Sequence, residues 1–561
     1  MTAATRMTGT TAASAPDDAE HGHALTGTGT LVRVALRRDR IVLPVWLVVV
    51  SGLLVASIVS VTGLYGTEAE RVAYATVASA SAVARAFDGP MSGTSLGAVT
   101  MTEVFGVLAV LIGIMCSQAV VRHTRLEEES GRAELVGSAV VGRHARLTAA
   151  VIVLTGISLV TAAATTVTLL AHDLPVAGSM LAGLALAGVG VTFGSLTLVG
   201  AQVTASARTA NGIGAAAVGI AFLLRAVGDA AGEVAASGVK VVSAWPSWLS
   251  PIGWGQQARA FEDERWWVLG LFVAASAAAT AVAFVLSVHR DVGAGMHPPR
   301  SGPAVASRAT ATALGLAWRL QRGGLVMWSV GVAVIAAALG GIGEQAGELV
   351  ATSDELAAAL AALGSADALI DLYFGFVFGI VGLLAAAAMV QGLLRLRSEE
   401  AAGRLEPLLA TACSRGRWLT SHAVCAIGGG GLVLVVAGLI AGFTDAAVAG
   451  SFDRFGSLVA AALVQFPAAL VLAGVAIAAT GLLPRWAAAV GWGAVGVAFV
   501  VGQLGALFGL PQAALNVSPF THVPLVPAEP VVWLPLLLSL LVAAALAAVG
   551  TLALHHRDIR S

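Results

Sequence analysis

Polar residues are scarce along this chain, and they interrupt long apolar runs instead of alternating with them. A helix that crosses a bilayer takes about 20 apolar residues. Runs of that kind lie near 41 to 63, 101 to 121, 147 to 171, 177 to 203, 212 to 229 and 266 to 288. Six more lie near 324 to 342, 372 to 394, 419 to 443, 455 to 483, 487 to 508 and 531 to 554. The pattern predicts an all-α polytopic membrane protein of twelve transmembrane helices, built as two tandem six-helix halves. Before the first run, Leu31 to Arg40 mixes apolar and cationic residues at helical spacing, which predicts a short helix in the headgroup layer. Residues 1–29, rich in Thr, Ala, Ser, Gly and Asp, read as a disordered cytoplasmic tail. The expected division is therefore a tail over 1–29, a first half over 30–295, a cytoplasmic linker over 296–312 and a second half over 313–561.

The halves repeat one another in detail. Arg125-Leu126-Glu127-Glu128-Glu129-Ser130-Gly131-Arg132-Ala133-Glu134 returns as Arg397-Ser398-Glu399-Glu400-Ala401-Ala402-Gly403-Arg404-Leu405-Glu406, and Arg143 and Thr148 meet Arg415 and Thr420 at the same offset. Leu36 to Arg40 before Trp46 corresponds to Trp318 to Arg322 before Trp328. Ser250-Pro251-Ile252 returns as Ser518-Pro519-Phe520, and His289-Arg290-Asp291-Val292 as His556-Arg557-Asp558-Ile559. An even number of spans per half makes both copies enter and leave on one side, a parallel pseudo-twofold about the membrane normal.

Composition agrees with a bilayer and narrows the chemistry. The chain is 57% hydrophobic and 11% charged with a mean hydropathy of +0.87, far outside the soluble range. A net charge of −1 without a basic cluster argues against nucleic acid as a partner. Cys116, Cys413 and Cys425 have no metal or disulfide spacing and read as packing residues. Lys240, the single lysine, sits between Val239 and Val241. A phosphate-binding loop needs Gly-Lys-Ser/Thr, so this chain carries no Walker-type ATPase site of its own.

Arginine indicates the sidedness. Both repeated charged islands, the link from Arg290 to Arg322 and the segment Arg33 to Arg40 are arginine-rich, whereas Glu344 to Asp371 carries acids and no Lys or Arg. The positive-inside rule then puts both islands and both termini in the cytoplasm of a multi-pass plasma-membrane protein. On the outer side, Thr67 with Glu70 and Thr352 with Glu355 have capping-box spacing. The segment Ala230 to Arg265 is too long for a turn and predicts a structure folded back as part of an outer gate.

In each island the acids come first and an arginine last, with Gly131 or Gly403 free to turn the backbone between two short helices. A merely solvated loop has no reason to keep residue type at matched positions. The Glu-Glu-x-x-Gly-x-x-Glu pattern followed by arginine, between spans two and three, resembles the cytoplasmic coupling segment of type 2 ABC-transporter permeases. The doubled twelve-span layout resembles actinobacterial permeases described as polyketide-antibiotic exporters. The resemblance implies a transport subunit, not an enzyme. It would pair with two copies of a separate ABC ATPase and export amphiphilic, drug-like compounds by alternating access, through a cavity between the halves. It implies that Glu127, Glu128, Gly131, Arg132 and Glu134, with Arg143, and Glu399, Glu400, Gly403, Arg404 and Glu406, with Arg415, couple to the ATPase. Pro407 has no match at Leu135, so the two contacts are expected to be unequal. No cofactor is expected on this chain; ATP and Mg belong to the partner subunits. Besides the ATPase, the partners expected are membrane lipid and the small-molecule substrate.

Outside the islands, Arg225 and Asp229 have the spacing of an intrahelical ion pair inside an apolar run, where charge is expensive and is either structural near the outer interface or tied to substrate and gating. Their counterparts Gly502 and Ala506 break the repeat. Glu103 and Asp371 read as solvated residues at span ends. The His-Arg-Asp triplets mimic a kinase motif but end membrane runs, and the kinase lysine is missing. Gly188 to Gly194 and Gly428 to Gly431 predict close helix packing. His555 and His556 lack a third ligand, which argues against a metal. The chief alternative to an ATP-driven exporter is a proton-coupled secondary transporter, for which Asp229 is almost the only intramembrane carboxylate. A polytopic membrane enzyme would need clustered acids or histidines that the runs do not offer.

Overall fold

In a hydrocarbon layer no water completes a peptide hydrogen bond, so an apolar run that crosses it must close those bonds within itself as a helix. The computed structural model follows that rule. It describes residues 24–291, 293–296, 305, 307, 311–351, 366–503, 505 and 510–557, and of 342–351 and 366–369 the backbone alone. Among the described residues, 11 helices are long and apolar enough to cross a membrane. The chain divides into two units, Met1–Ser301 and Gly302–Ser561.

In the first unit the spans are Val42–Leu64, Leu96–His123, Ala145–Leu170, Val176–Val203, Ala207–Ala230 and Leu269–Val288. The second unit holds Ala313–Ala351, Ala366–Ala401, Arg415–Ala449, the pair Phe455–Leu463 and Phe466–Leu482, and Trp533–His556. The break in the pair precedes Pro467, whose missing N–H suits the first turn of a new helix. The run expected near 487 to 508 forms a helix of 17 residues, Ala487–Gln503. That is shorter than the roughly 20 residues of a full crossing, so it is the twelfth apolar helix beside the 11 full-length ones among the described residues.

The second span is the hub of each unit. In both Leu96–Glu129 and Ile370–Ala401 the apolar window is 72% buried, against 17% in Val42–Leu64 and in Trp533–His556. The peripheral spans keep their apolar faces for lipid. Glycine lets the inner helices approach: a Cβ on Gly190 would lie 2.9 Å from Cys116 Sγ, and one on Gly430 would lie 2.4 Å from Met389. Phe466–Leu482 and Trp533–His556 meet backbone to backbone, where a Cβ on Gly481 would fall 2.2 Å from the Gly550 carbonyl oxygen.

The short helix before the first span covers Thr28–Asp39. Its last residue, Asp39, is wholly buried and ties it to the end of the second span through Arg122 Nε at 3.1 Å and His123 Nε2 at 2.7 Å. At the opposite end of the second span, a cap covers the first unit. It contains helices Glu68–Ala80 and Ala82–Phe87, an antiparallel ladder pairing Glu233–Val234 with Val241–Val242, a 3-10 turn over Trp245–Leu249 and helix Pro251–Gln257. Thr67 opens the cap with a full capping box: the Glu70 amide donates to Thr67 Oγ1 at 3.3 Å, and the Thr67 amide donates to Glu70 Oε2 at 2.8 Å. The segment after Ala230 thus folds back as expected, its Ser247 backbone lying against Gly228. The matching pair Thr352 and Glu355, tail residues 1–23 and most of the expected linker lie outside the described residues.

Candidate coupling segments

Each island grows directly out of a hub helix. In the first unit the helix ends at His123, breaks at Thr124 and resumes as Arg125–Glu129 and Arg132–Gly137. In the second unit the hub runs unbroken through Glu399 and Glu400 to Ala401, followed by helix Leu405–Leu409. The turn between is made by Gly131 at φ +73° and Gly403 at φ +68°, the left-handed region that a side chain disfavours. The glycine of the motif is therefore a backbone requirement in both copies.

The acids are not equivalent. Glu128 is held by a two-pronged contact from Arg290, Nη1 to Oε2 at 2.8 Å and Nη2 to Oε1 at 2.7 Å, and by Arg125 Nη1 at 2.6 Å. Glu400 accepts from Arg557 Nη2 at 2.9 Å, with Arg397 at 3.5 Å. The arginine in each case follows the last span of the same unit. The first acid of each pair turns instead to the arginine five residues on: Glu127 to Arg132 at 3.8 Å, Glu399 to Arg404 at 2.9 Å. Glu127 also pairs with Arg38 of the short first helix. Glu129, which has no acidic counterpart in the second island, accepts from the Ala207 amide at 2.9 Å.

What remains at the surface is the far end of each island. Arg132 and Glu134, and Arg404 and Glu406, are exposed, with Leu135 76% exposed beside the first set and Pro407 exposed beside the second. Arg143 is exposed, its Nη2 3.4 Å from His144 Nε2. Its counterpart Arg415 is half-buried and donates to the carbonyl oxygens of Leu554, His555 and Arg557 at 3.3, 3.3 and 2.6 Å. In the first unit that role falls to Arg125, which donates to the carbonyls of Gly293 and Ala294, both at 3.1 Å. Of the twelve motif residues, Glu127, Glu128, Glu399, Glu400 and Arg415 are thus turned inward and engaged within their own unit, and Arg132 and Arg404 pair with Glu127 and Glu399 from the exposed side. Arg132, Glu134, Arg143, Arg404 and Glu406 face outward, and Gly131 and Gly403 shape the turn.

Sequence reasoning passed over Arg290 and Arg557. The signal was present: the repeated His-Arg-Asp triplet carries the two arginines that meet the two repeated acids. Gln202, which accepts from Arg290 Nε at 2.8 Å, had no signal at all.

At the capped end, Arg225 and Asp229 are wholly buried, with Nη1 and Oδ2 3.5 Å apart. The guanidinium lies 4.5 Å over the Phe222 ring and donates from Nη2 to the Phe87 carbonyl at 2.9 Å. The pair sits under the cap, where Arg85 donates to the backbone carbonyl of Asp229 at 3.1 Å and of Ala230 at 2.7 Å. Burial and the neighbouring Glu103 carboxylate push the Asp88 carboxyl up to about 7, against the pull of Arg225. Glu103 is half-buried beneath the cap instead of solvated, because the hub helix starts at Leu96, earlier than its apolar run suggests. Lys240 pairs with Asp263 at 2.7 Å on the outside of the same cap.

Residues 311–555 match the family described as "Multidrug efflux system permease Rv1217c, C-terminal domain". Over 545 residues the chain is 39% identical to the multidrug efflux system permease protein Rv1217c of Mycobacterium tuberculosis (strain ATCC 25618 / H37Rv), with 96% of each chain covered.

Proposed function

We infer that this chain, which belongs to the family of the multidrug efflux system permease Rv1217c, is the transmembrane subunit of an ATP-driven exporter of amphiphilic, drug-like compounds. Two copies of a separate ABC ATPase dock on the two islands, and they hold the ATP and Mg. The observation that carries this reading is the doubled segment at the end of each hub helix, fixed at its base by buried ion pairs and presenting Glu134 or Glu406 outward. A surface built that way suits a soluble partner that pushes: the base is stiff and the tip is charged. The arginine distribution supports a cytoplasmic position for the islands and both termini, at the inner face of the cell membrane.

Transport energy then enters at the islands, and nucleotide-driven closure of the ATPases shifts each half between inward-open and outward-open states. The apolar lining expected of spans rich in Val, Leu, Ala and Phe suits an amphiphile better than an ion.

A proton-coupled carrier is the alternative, and the acids Asp88, Glu103 and Asp229 around Arg225 are the feature that favours it. Reconstituting the chain in vesicles with and without its ATPase separates the two. The exporter reading expects accumulation of a fluorescent amphiphile only with the ATPase and MgATP. Transport by the chain alone, driven by a pH gradient, would overturn it.

A further inference from the structure

The buried contacts at the base of the islands ask for an explanation that docking does not give. Glu128 and Glu400 are the most deeply held acids of the motif, and neither is presented to a partner protein. Each is clasped twice to the end of its own unit's last span. The acid accepts from the arginine just after that span, Arg290 or Arg557. In return, an arginine of the island or of the helix following it donates to peptide carbonyls of the same terminal segment. In the first unit this is Arg125 on Gly293 and Ala294; in the second it is Arg415 on Leu554, His555 and Arg557.

The clasp recurs while its surroundings do not. Asp39 with His123 in the first unit is replaced by Gln321 with His422 in the second. Arg143 and Arg415 have parted company, and Arg225 with Asp229 has no counterpart. A buried ion pair contributes little net stability, since desolvation cancels much of the attraction, and its best-attested use is to fix register. A planar two-pronged contact such as that of Arg290 on Glu128 fixes both distance and angle.

We propose that Arg290 and Arg557 are positioning residues which lock each island to the last span of its own half, so that displacement of the island is delivered to that span as well as to the hub helix. The proposal rests on the ATPase-driven reading above. It makes the second acid of each motif a transmission element, with partner recognition left to the exposed tips.

The test uses the full chain copurified with its ATPase and reconstituted in vesicles, with Arg290→Gln, Arg557→Gln, Glu128→Gln and the double variant Glu128→Gln with Arg290→Gln. Three quantities are read: ATPase retained on the permease, thermal midpoint, and substrate moved per ATP hydrolysed. The arginine variants should retain the ATPase and its hydrolysis while moving about tenfold less substrate per ATP, a typical coupling magnitude. The double variant should be no worse than either single one, and Arg290→Lys, which keeps the charge but not the fork, should recover part of the loss. Wild-type coupling in both arginine variants would overturn the proposal. So would a loss that disappears at a temperature where the variants are fully folded, or loss of the ATPase from Glu128→Gln but not from Arg290→Gln. If the wild-type chain retains no ATPase, the functional reading fails and takes the proposal with it.

Discussion

Arg225 and Asp229 stand one helical turn apart with both side chains closed to solvent, their nearest charged atoms 3.5 Å from one another. Removing one partner of such a pair costs about 3–5 kcal/mol, because the other charge stays buried, while replacing both with apolar residues is often neutral. Arg225→Leu should therefore lower the thermal midpoint of the purified protein sharply, and adding Asp229→Leu should restore most of it. Equal midpoints for the single and double variants would contradict the pairing.

Asp88 makes the cap sensitive to pH. Its carboxyl titrates at about 7 in the folded protein and about 3.9 in an unfolded chain. Between those values the folded state holds the extra proton, so stability falls as pH rises from about 4 towards 7 and stays low above. Asp88→Asn should flatten this dependence and raise the midpoint at pH 8 more than at pH 5. Glu103 and Arg225 are the charged groups that act on it, so the comparison is read as variant against wild type at each pH.

Gly131 and Gly403 provide a test of the island's shape. At φ +73° and +68° a side chain costs roughly 1–2 kcal/mol, and asparagine tolerates that region better than alanine. Gly403→Ala should reduce substrate moved per ATP and lower the midpoint more than Gly403→Asn, the cost coming from the backbone alone because a Cβ there meets nothing within 4 Å. Equal effects from both variants would point away from backbone conformation.

Two glycines that look alike in the sequence should respond differently. A Cβ on Gly430 meets Cγ and Cε of the Met389 side chain, which can change rotamer, whereas one on Gly481 meets the Gly550 carbonyl, which cannot swing away. Gly481→Ala should cost about 1–3 kcal/mol as an overpacked site, and Gly430→Ala distinctly less. Thermal unfolding in one detergent compares them directly.

At the island tips, Glu134→Arg with Glu406→Arg should weaken ATPase retention while leaving the midpoint near wild type, since both positions are exposed. Retention is read by pull-down at several salt concentrations. An unchanged complex would move the docking surface elsewhere.

The parts of this fold that were legible in the sequence are those that lipid dictates locally. Apolar runs of sufficient length become helices because nothing else satisfies their backbones, and the Thr67 capping box needs only its own four residues. The motif glycines were legible too, since a turn between short helices calls for the left-handed region. The partners of the acids were not. Glu128 and Arg290 are joined by folding across many intervening spans, and no spacing rule selects Arg290 over Arg143. The cluster of Asp88, Glu103 and Arg225 was missed for the same reason: three elements supply it, and only the Arg225 and Asp229 pair lies on one helix.

The break at Thr124 has no equivalent in the second half, where one helix reaches from the bilayer interior to Ala401. A rod and a jointed arm answer the same tap differently. A load taken up at Glu406 crosses the Gly403 turn and then follows one unbroken helix, whereas one taken up at Glu134 crosses the Gly131 turn and then a second break at Thr124. Two identical motors working on this chain would thus push through unlike linkages, one with a single joint and one with two.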